Sequence, residues 1–110
     1  MNGRERAQYI HDRLLNKYQE TLPVDWIFGQ MAHETANFTS DLAVNHFNFG
    51  GLTQPEPNGL PQPDGSLFYK SFANEMEGLD YFADYLHLYK SDGIFEAKNP
   101  VEYAAALKHG

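Results

Sequence analysis

Between residues 45 and 70 the chain changes character, and that change limits the folds open to it. Asn48, Gly50, Gly51, Asn58, Gly59, Asp64 and Gly65 fall there, with four of the six prolines. Such residues favour turns and interrupt helices and central strands. On either side, apolar residues recur at helical spacing. Arg4 to Tyr18 reads as a first helix on Ala7, Ile10, Leu14 and Leu15. Leu22-Pro23 breaks the chain, and a second helix follows from Val24 to about Thr35, striped by Val24, Ile27, Phe28 and Met31. Thr39-Ser40-Asp41 offers cap chemistry for a short third helix through about Val44. Beyond the turn-rich stretch, where Leu60 to Tyr69 could form a hairpin around Asp64-Gly65, Ser71 or Asn74 caps a fourth helix to about Tyr89. Its stripe is Met76, Leu79, Phe82, Leu86 and Tyr89. Asn99-Pro100 then starts a last helix from Val101 to about Lys108. The expected fold is mainly α: a helical lobe plus a small turn-rich or β-hairpin lobe, with a cleft between them.

At 110 residues there is room for one core, so residues 1–110 are read as a single domain. A net charge of −7 argues against non-specific nucleic-acid binding and against a polybasic membrane anchor, both of which need Lys and Arg. With no cysteine, disulfide staples, thiolate catalysis and Cys-ligated zinc are excluded. Residues 1 to 20 are polar and charged, with no visible signal peptide or membrane span. Aromatic residues reach 15%, which suits either a small core or a sugar-binding cleft. Tyr81, Tyr85 and Tyr89 follow one another at i, i+4 and read as half-buried packing rather than a sugar platform.

Glu34 is the residue with the most suggestive chemistry. At about 100° per residue, it lies within roughly 20° of Ile27, on the edge of the second helix's apolar stripe. A carboxylate there would be partly desolvated, which favours its protonated form and suits a general acid. The competing reading is a side chain at the core margin with its head group in water. His33-Glu34 also begins an H-E-x-x-H zinc motif, but position 37 is Asn. His11, His46, His87 and His109 are scattered, with no metal-ligand spacing, and neither a nucleophile elbow nor a phosphate-binding loop is present.

The stretch from Gln30 to Ala43, QMAHETANFTSDLA, followed by Asn45 to Leu52, NHFNFGGL, resembles the glucosaminidase family. These are the bacterial endo-β-N-acetylglucosaminidases of glycoside hydrolase family 73 and their phage relatives, whose fold is lysozyme-like. Phe68 to Phe72 and Glu77 to Phe82 are similar to the family's aromatic strand and next helix, so the resemblance runs from about Leu22 to Ala106. It implies that Glu34 is the catalytic acid. It also implies that Asn48, Phe49 and Gly50 form the cleft floor where an N-acetyl group binds. Turn chemistry for Asn48 and Gly50, and core packing for Phe49, are the alternatives.

Glycosidases normally use a second carboxylate. Glu56, between two prolines, and Asp64, before Gly65, are the candidates, with Glu56 slightly preferred. A third option is that Glu34 acts alone, as in lytic transglycosylases, or that the substrate's own N-acetyl group attacks. Glu102 to Leu107 resembles the helix before the family's Tyr-Ala-Thr-Asp-Pro-type segment, which is missing after Gly110. The chain is therefore read as truncated or as a shortened relative. The implied function is cleavage of the β-1,4 bond after N-acetylglucosamine in peptidoglycan by a monomer acting at the cell wall, outside the cytoplasm or on a phage, without metal or cofactor. The alternative is a non-catalytic wall-binding or phage tail module of the same fold.

Overall fold

A computed structural model of the protein describes residues 1–54, 60–61 and 68–108. It is mainly helical, with α1 (Gly3–Tyr18), α2 (Val24–Glu34), α3 (Asp41–Val44), α4 (Glu75–His87) and α5 (Pro100–Lys108). Strands β1 (Thr53–Gln54), β2 (Leu60–Pro61) and β3 (Phe68–Tyr69) contribute two residues each. Two 3-10 turns, Lys90–Asp92 and Ile94–Glu96, link α4 to α5.

Cap chemistry sets most helix starts. Asn2 and Glu5 form a capping box on α1, each side chain meeting the other's backbone N–H at 2.8 Å. Ser40 caps α3, and Asn74 rather than Ser71 caps α4 by accepting from the Glu77 N–H. The Asn99 side chain accepts from the Glu102 N–H at 2.9 Å, so α5 starts at Pro100 as its sequence suggests. At α2 the cap residue is Pro23, with no side-chain hydrogen bond.

Helix α1 is the centre of the packing, meeting α2 on one side and α4 on the other. Ala7, Ile10 and Leu14 form its buried seam, against Ile27 and Met31 of α2 and Leu79, Phe82 and Leu86 of α4. Two expected stripe residues fall outside: Leu15 is 44% exposed and Met76 39%. The buried arc of α1 is narrow, so Leu15, one residue past Leu14, turns outward.

The expected hairpin is present where it is described: β2 pairs antiparallel with β3, Leu60 opposite Tyr69. The Asp64-Gly65 turn lies outside the described residues. An unexpected partner, β1, pairs antiparallel with the other side of β3, giving the order β1-β3-β2. Pro61, lacking an N–H, is thus on an edge strand, where proline is tolerated.

Polar groups close the α1–α4 seam. The Arg6 guanidinium meets Glu75 at 2.5 Å, and Arg13 meets Asp80 at 3.2 Å and Asp84 at 3.3 Å. Asp84 also accepts from Lys17 at 3.2 Å and from the Tyr18 hydroxyl at 2.9 Å. Burial alone would raise the Asp84 carboxyl, but hydrogen bonds from Arg13, Tyr18 and Lys17, with the Arg13 charge, hold it below the usual carboxylate range. A depressed folded value makes this stabilisation complete above the unfolded value of about 3.9 and lost as pH falls through the folded one. Asp84→Asn should therefore lower the melting temperature near neutral pH while flattening its decline below about pH 4. Thermal melts of both proteins across that range check this, and parallel declines would remove Asp84 from the account.

Candidate active site

Helix α2 has two working faces. Measured from Ile27 at about 100° per residue, its buried arc runs from roughly 0° to 100°, while Trp26, Gly29, Gln30 and His33 fall on the other side. That second face, with Asp25 and Glu34, forms one wall of a cleft of about 920 Å³. The facing wall is one stripe of α5, Pro100, Tyr103, Ala104 and Leu107, at i, i+3, i+4 and i+7. Tyr85 of α4 and Gly50 complete the described lining. The sequence led us to expect the turn-rich insert as the opposing wall. Among the described residues, α5 takes most of that place.

Glu34 is the last residue of α2 and lines the cleft, but its side chain is exposed. Glu34 is thus more open to solvent than the edge of the apolar stripe suggested. Position 34 sits at the border of the two faces and turns toward the cleft rather than the core. Immediately after it the chain reverses hand: Ala36, Asn37 and Phe38 take φ values of 50°, 58° and 66°. Left-handed backbone costs an L-residue other than glycine roughly 1–2 kcal/mol, somewhat less for Asn. The turn is held by Thr35, wholly buried, whose hydroxyl donates to the Met31 carbonyl at 2.6 Å and accepts from the Phe38 N–H at 2.8 Å. The Asn37 N–H reaches back to the Ala32 carbonyl at 2.8 Å, and the Phe38 ring packs on Phe28 and Phe49.

Behind Glu34 stands the loop of residues 48–52, which is built around one side chain. Asn48 is buried, and its amide donates to the carbonyls of Leu52 and Lys70, both at 2.9 Å. Its carbonyl accepts from the N–H of Leu52 at 3.0 Å and of Gly50 at 3.4 Å. Both donors and the carbonyl are thus used inside the fold. Phe49 is 2% exposed, in the core, with the Arg6 guanidinium 5.0 Å over its ring. Of the three residues that the resemblance put on the cleft floor, Gly50 lines the cleft, whereas Asn48 and Phe49 shape the loop from beneath.

The two glycines have separate reasons. A Cβ on Gly50 would come within 2.2 Å of the Phe82 ring, so its backbone lies directly on the core. Gly51 has φ 62°, and a Cβ there would stand 3.1 Å from Glu34 Oε2. The bare Gly51 backbone thus adjoins the Glu34 carboxylate.

The cleft's phenols remain protonated donors. Burial, the Tyr89 hydroxyl and the nearby Glu34 charge push the Tyr85 phenol well above its ordinary range, and its oxygen lies 2.7 Å from that of Tyr89. Burial does the same for Tyr103, with Tyr85 adding to it, and the Tyr103 hydroxyl donates to Gln30 Oε1. Tyr85 is half-buried, so the packing expected for it holds, but it faces the cleft as well. Tyr81 is 39% exposed, its ring against Phe72.

Glu56 and Asp64, the two candidates for a second carboxylate, lie outside the described residues, as does His109. Asp25 also lines the cleft but pairs with Arg4 at 2.5 Å. Among the described residues no group of three or more His, Asp or Glu side chains is placed to hold a metal ion, and no helix is long and apolar enough to cross a membrane. Trp26, Gly29, Gln30 and Tyr103 were not anticipated at the site. For the three on α2 the signal was a second periodicity, Trp26, Gly29/Gln30 and His33, alongside the apolar one. Comparisons with protein-family models, curated proteins and solved structures return no match for this chain.

Two outcomes test this geometry. Ala36→Gly should stabilise the fold by about 1 kcal/mol, since glycine takes positive φ without strain; urea denaturation reads this, and a destabilised variant would contradict the left-handed turn. Asn48→Ala should destabilise by at least about 2 kcal/mol because it strands several backbone groups. A loss below half of that would mean the loop does not depend on the amide.

Proposed function

We propose that the protein is a peptidoglycan glycosidase of the glucosaminidase type, lysozyme-like in architecture, with Glu34 as general acid. The observation that carries the reading is Glu34 itself: a carboxylate at a helix end, beside a glycine backbone, on the rim of a cleft with aromatic residues on its other walls. Ligand sites of this kind combine apolar and aromatic walls with a few convergent polar groups. Glu34 is open to solvent, and a glycan strand filling the groove would displace water from around it. Glu34 then protonates the leaving oxygen of the β-1,4 bond after N-acetylglucosamine.

Asp25 does not suit the second carboxylate role. Nine residues along α2 place it about 13 Å from Glu34 at 1.5 Å per residue, beyond the roughly 6.5–9.5 Å of an inverting pair. The partner is then Glu56 or Asp64 from the insert, or Glu34 acts alone with the substrate's N-acetyl group as nucleophile.

One observation favours the second reading, a wall-binding or phage tail module without turnover: Glu34 is exposed, and no second carboxylate faces it among the described residues.

Digestion of purified cell walls separates the two. Wild type should release N-acetylglucosamine reducing ends, and Glu34→Gln should lower the rate by about 10²–10⁴. Equal rates would remove Glu34 from the mechanism, N-acetylmuramic ends would overturn the choice of bond, and retention on walls without any release would establish the binding module.

A further inference from the structure

Gly29 is an exposed glycine in the middle of an eleven-residue helix. Such a position weakens a helix relative to alanine through backbone entropy. Glycine is usually accounted for by a close neighbour or a left-handed backbone. Gly29 has neither: its φ is not among the positive ones, and a Cβ built there meets, beyond its own helix backbone and chain neighbours, none of the described residues' atoms within 4 Å. Yet it lines the cleft, so the space it leaves open is cleft space.

The residues around this gap are of distinct chemistry. Trp26, one turn earlier, is half-buried, its ring packed against that of Tyr103 with centroids 6.0 Å apart. Gln30 follows Gly29, and its carbonyl oxygen accepts from the Tyr103 hydroxyl. That bond fixes the amide, leaving its NH₂ group to donate elsewhere. Among the described residues the charged ones of the lining are Asp25 and Glu34, with His33, and none is Lys or Arg. An anionic ligand is disfavoured there, and a neutral one with an apolar face and carbonyl or hydroxyl acceptors is matched.

We infer that Trp26, Gly29 and Gln30 form a sugar subsite for a neutral N-acetylated hexosamine unit, distant from the bond at Glu34. The apolar C–H face of the pyranose ring stacks on Trp26, the ring enters the gap over Gly29, and the Gln30 amide donates to the acetamido carbonyl. Trp26 lies eight residues before Glu34, about 12 Å along the axis, so this unit is not the one whose bond Glu34 reaches. The inference rests on the proposed glycan-cleaving reading and adds to it where a remote part of the strand is held. Remote binding of this kind positions the reacting bond.

Trp26 is the chain's single tryptophan, so its fluorescence reports on the subsite alone. Titration of the wild type with a tetramer of β-1,4-linked N-acetylglucosamine should give a saturable change in that fluorescence. Gly29→Leu should shift the midpoint at least about tenfold upward, and Gly29→Ala less, while both raise the melting temperature by a few degrees through helix propensity. Gln30→Glu, which replaces the donor with a carboxylate, should also weaken binding with the fold intact by circular dichroism. Unaltered binding in Gly29→Leu would overturn the subsite while leaving Glu34 and wall cleavage untouched. Cleavage of walls with no fluorescence response to the tetramer would overturn it too. Absence of both binding and cleavage in the wild type would overturn the glycosidase reading, and the subsite with it.

Discussion

The side-chain amide of Asn48 does for the loop region what a strand does for a sheet. Residues 48–52 belong to no helix or strand, so their carbonyls and N–H groups need partners from elsewhere. One buried amide supplies four hydrogen bonds, joining Leu52 to Lys70 and closing the turn at Gly50. The loop's place at the site depends on that closure: Gly50 lies on Phe82, Gly51 lies beside Glu34, and β1 starts in register with β3. Asn48, which the resemblance puts on the cleft floor, thus shapes the loop from beneath without lining the cleft among the described residues.

The left-handed turn after Glu34 is the complementary constraint. A right-handed continuation of α2 would carry the chain past the loop. Three consecutive residues of opposite hand instead end the helix at its acidic residue and return the chain toward Phe49, at a backbone cost that Thr35 and the Phe28–Phe38–Phe49 contacts offset. Strain of this kind next to a polar side chain in a cleft is the usual company of a functional position.

Much of the helical frame was legible because caps and apolar period agree. Asn74, Ser40 and Asn99-Pro100 mark starts that the structure uses, and Ile10, Leu14, Ile27, Leu79, Phe82 and Leu86 are core as their spacing suggests. The left-handed turn was not legible, since Ala36 and Phe38 carry no preference for positive φ and Thr35 acts only through tertiary burial. Nor was the exposure of Glu34: angular position relative to Ile27 placed it at the stripe edge, and only the packing decides which way an edge residue turns. The cleft's second wall escaped for a related reason. The α5 stripe reads like any amphipathic helix, and nothing in its own spacing says that it faces open space rather than a neighbour.

Half of the chain's eight Lys and Arg residues, Arg4, Arg6, Arg13 and Lys17, sit on α1, and three of them are held against the carboxylates of α4. That seam neutralises itself, so the protein's net charge of −7 is felt mainly from the remaining surface. At physiological ionic strength such a field reaches about 8 Å into solution. It leaves uncharged sugar units free to approach and disfavours close contact with individual anionic groups. The helix pairing that builds the core therefore also decides which part of the surface an approaching molecule meets as charged.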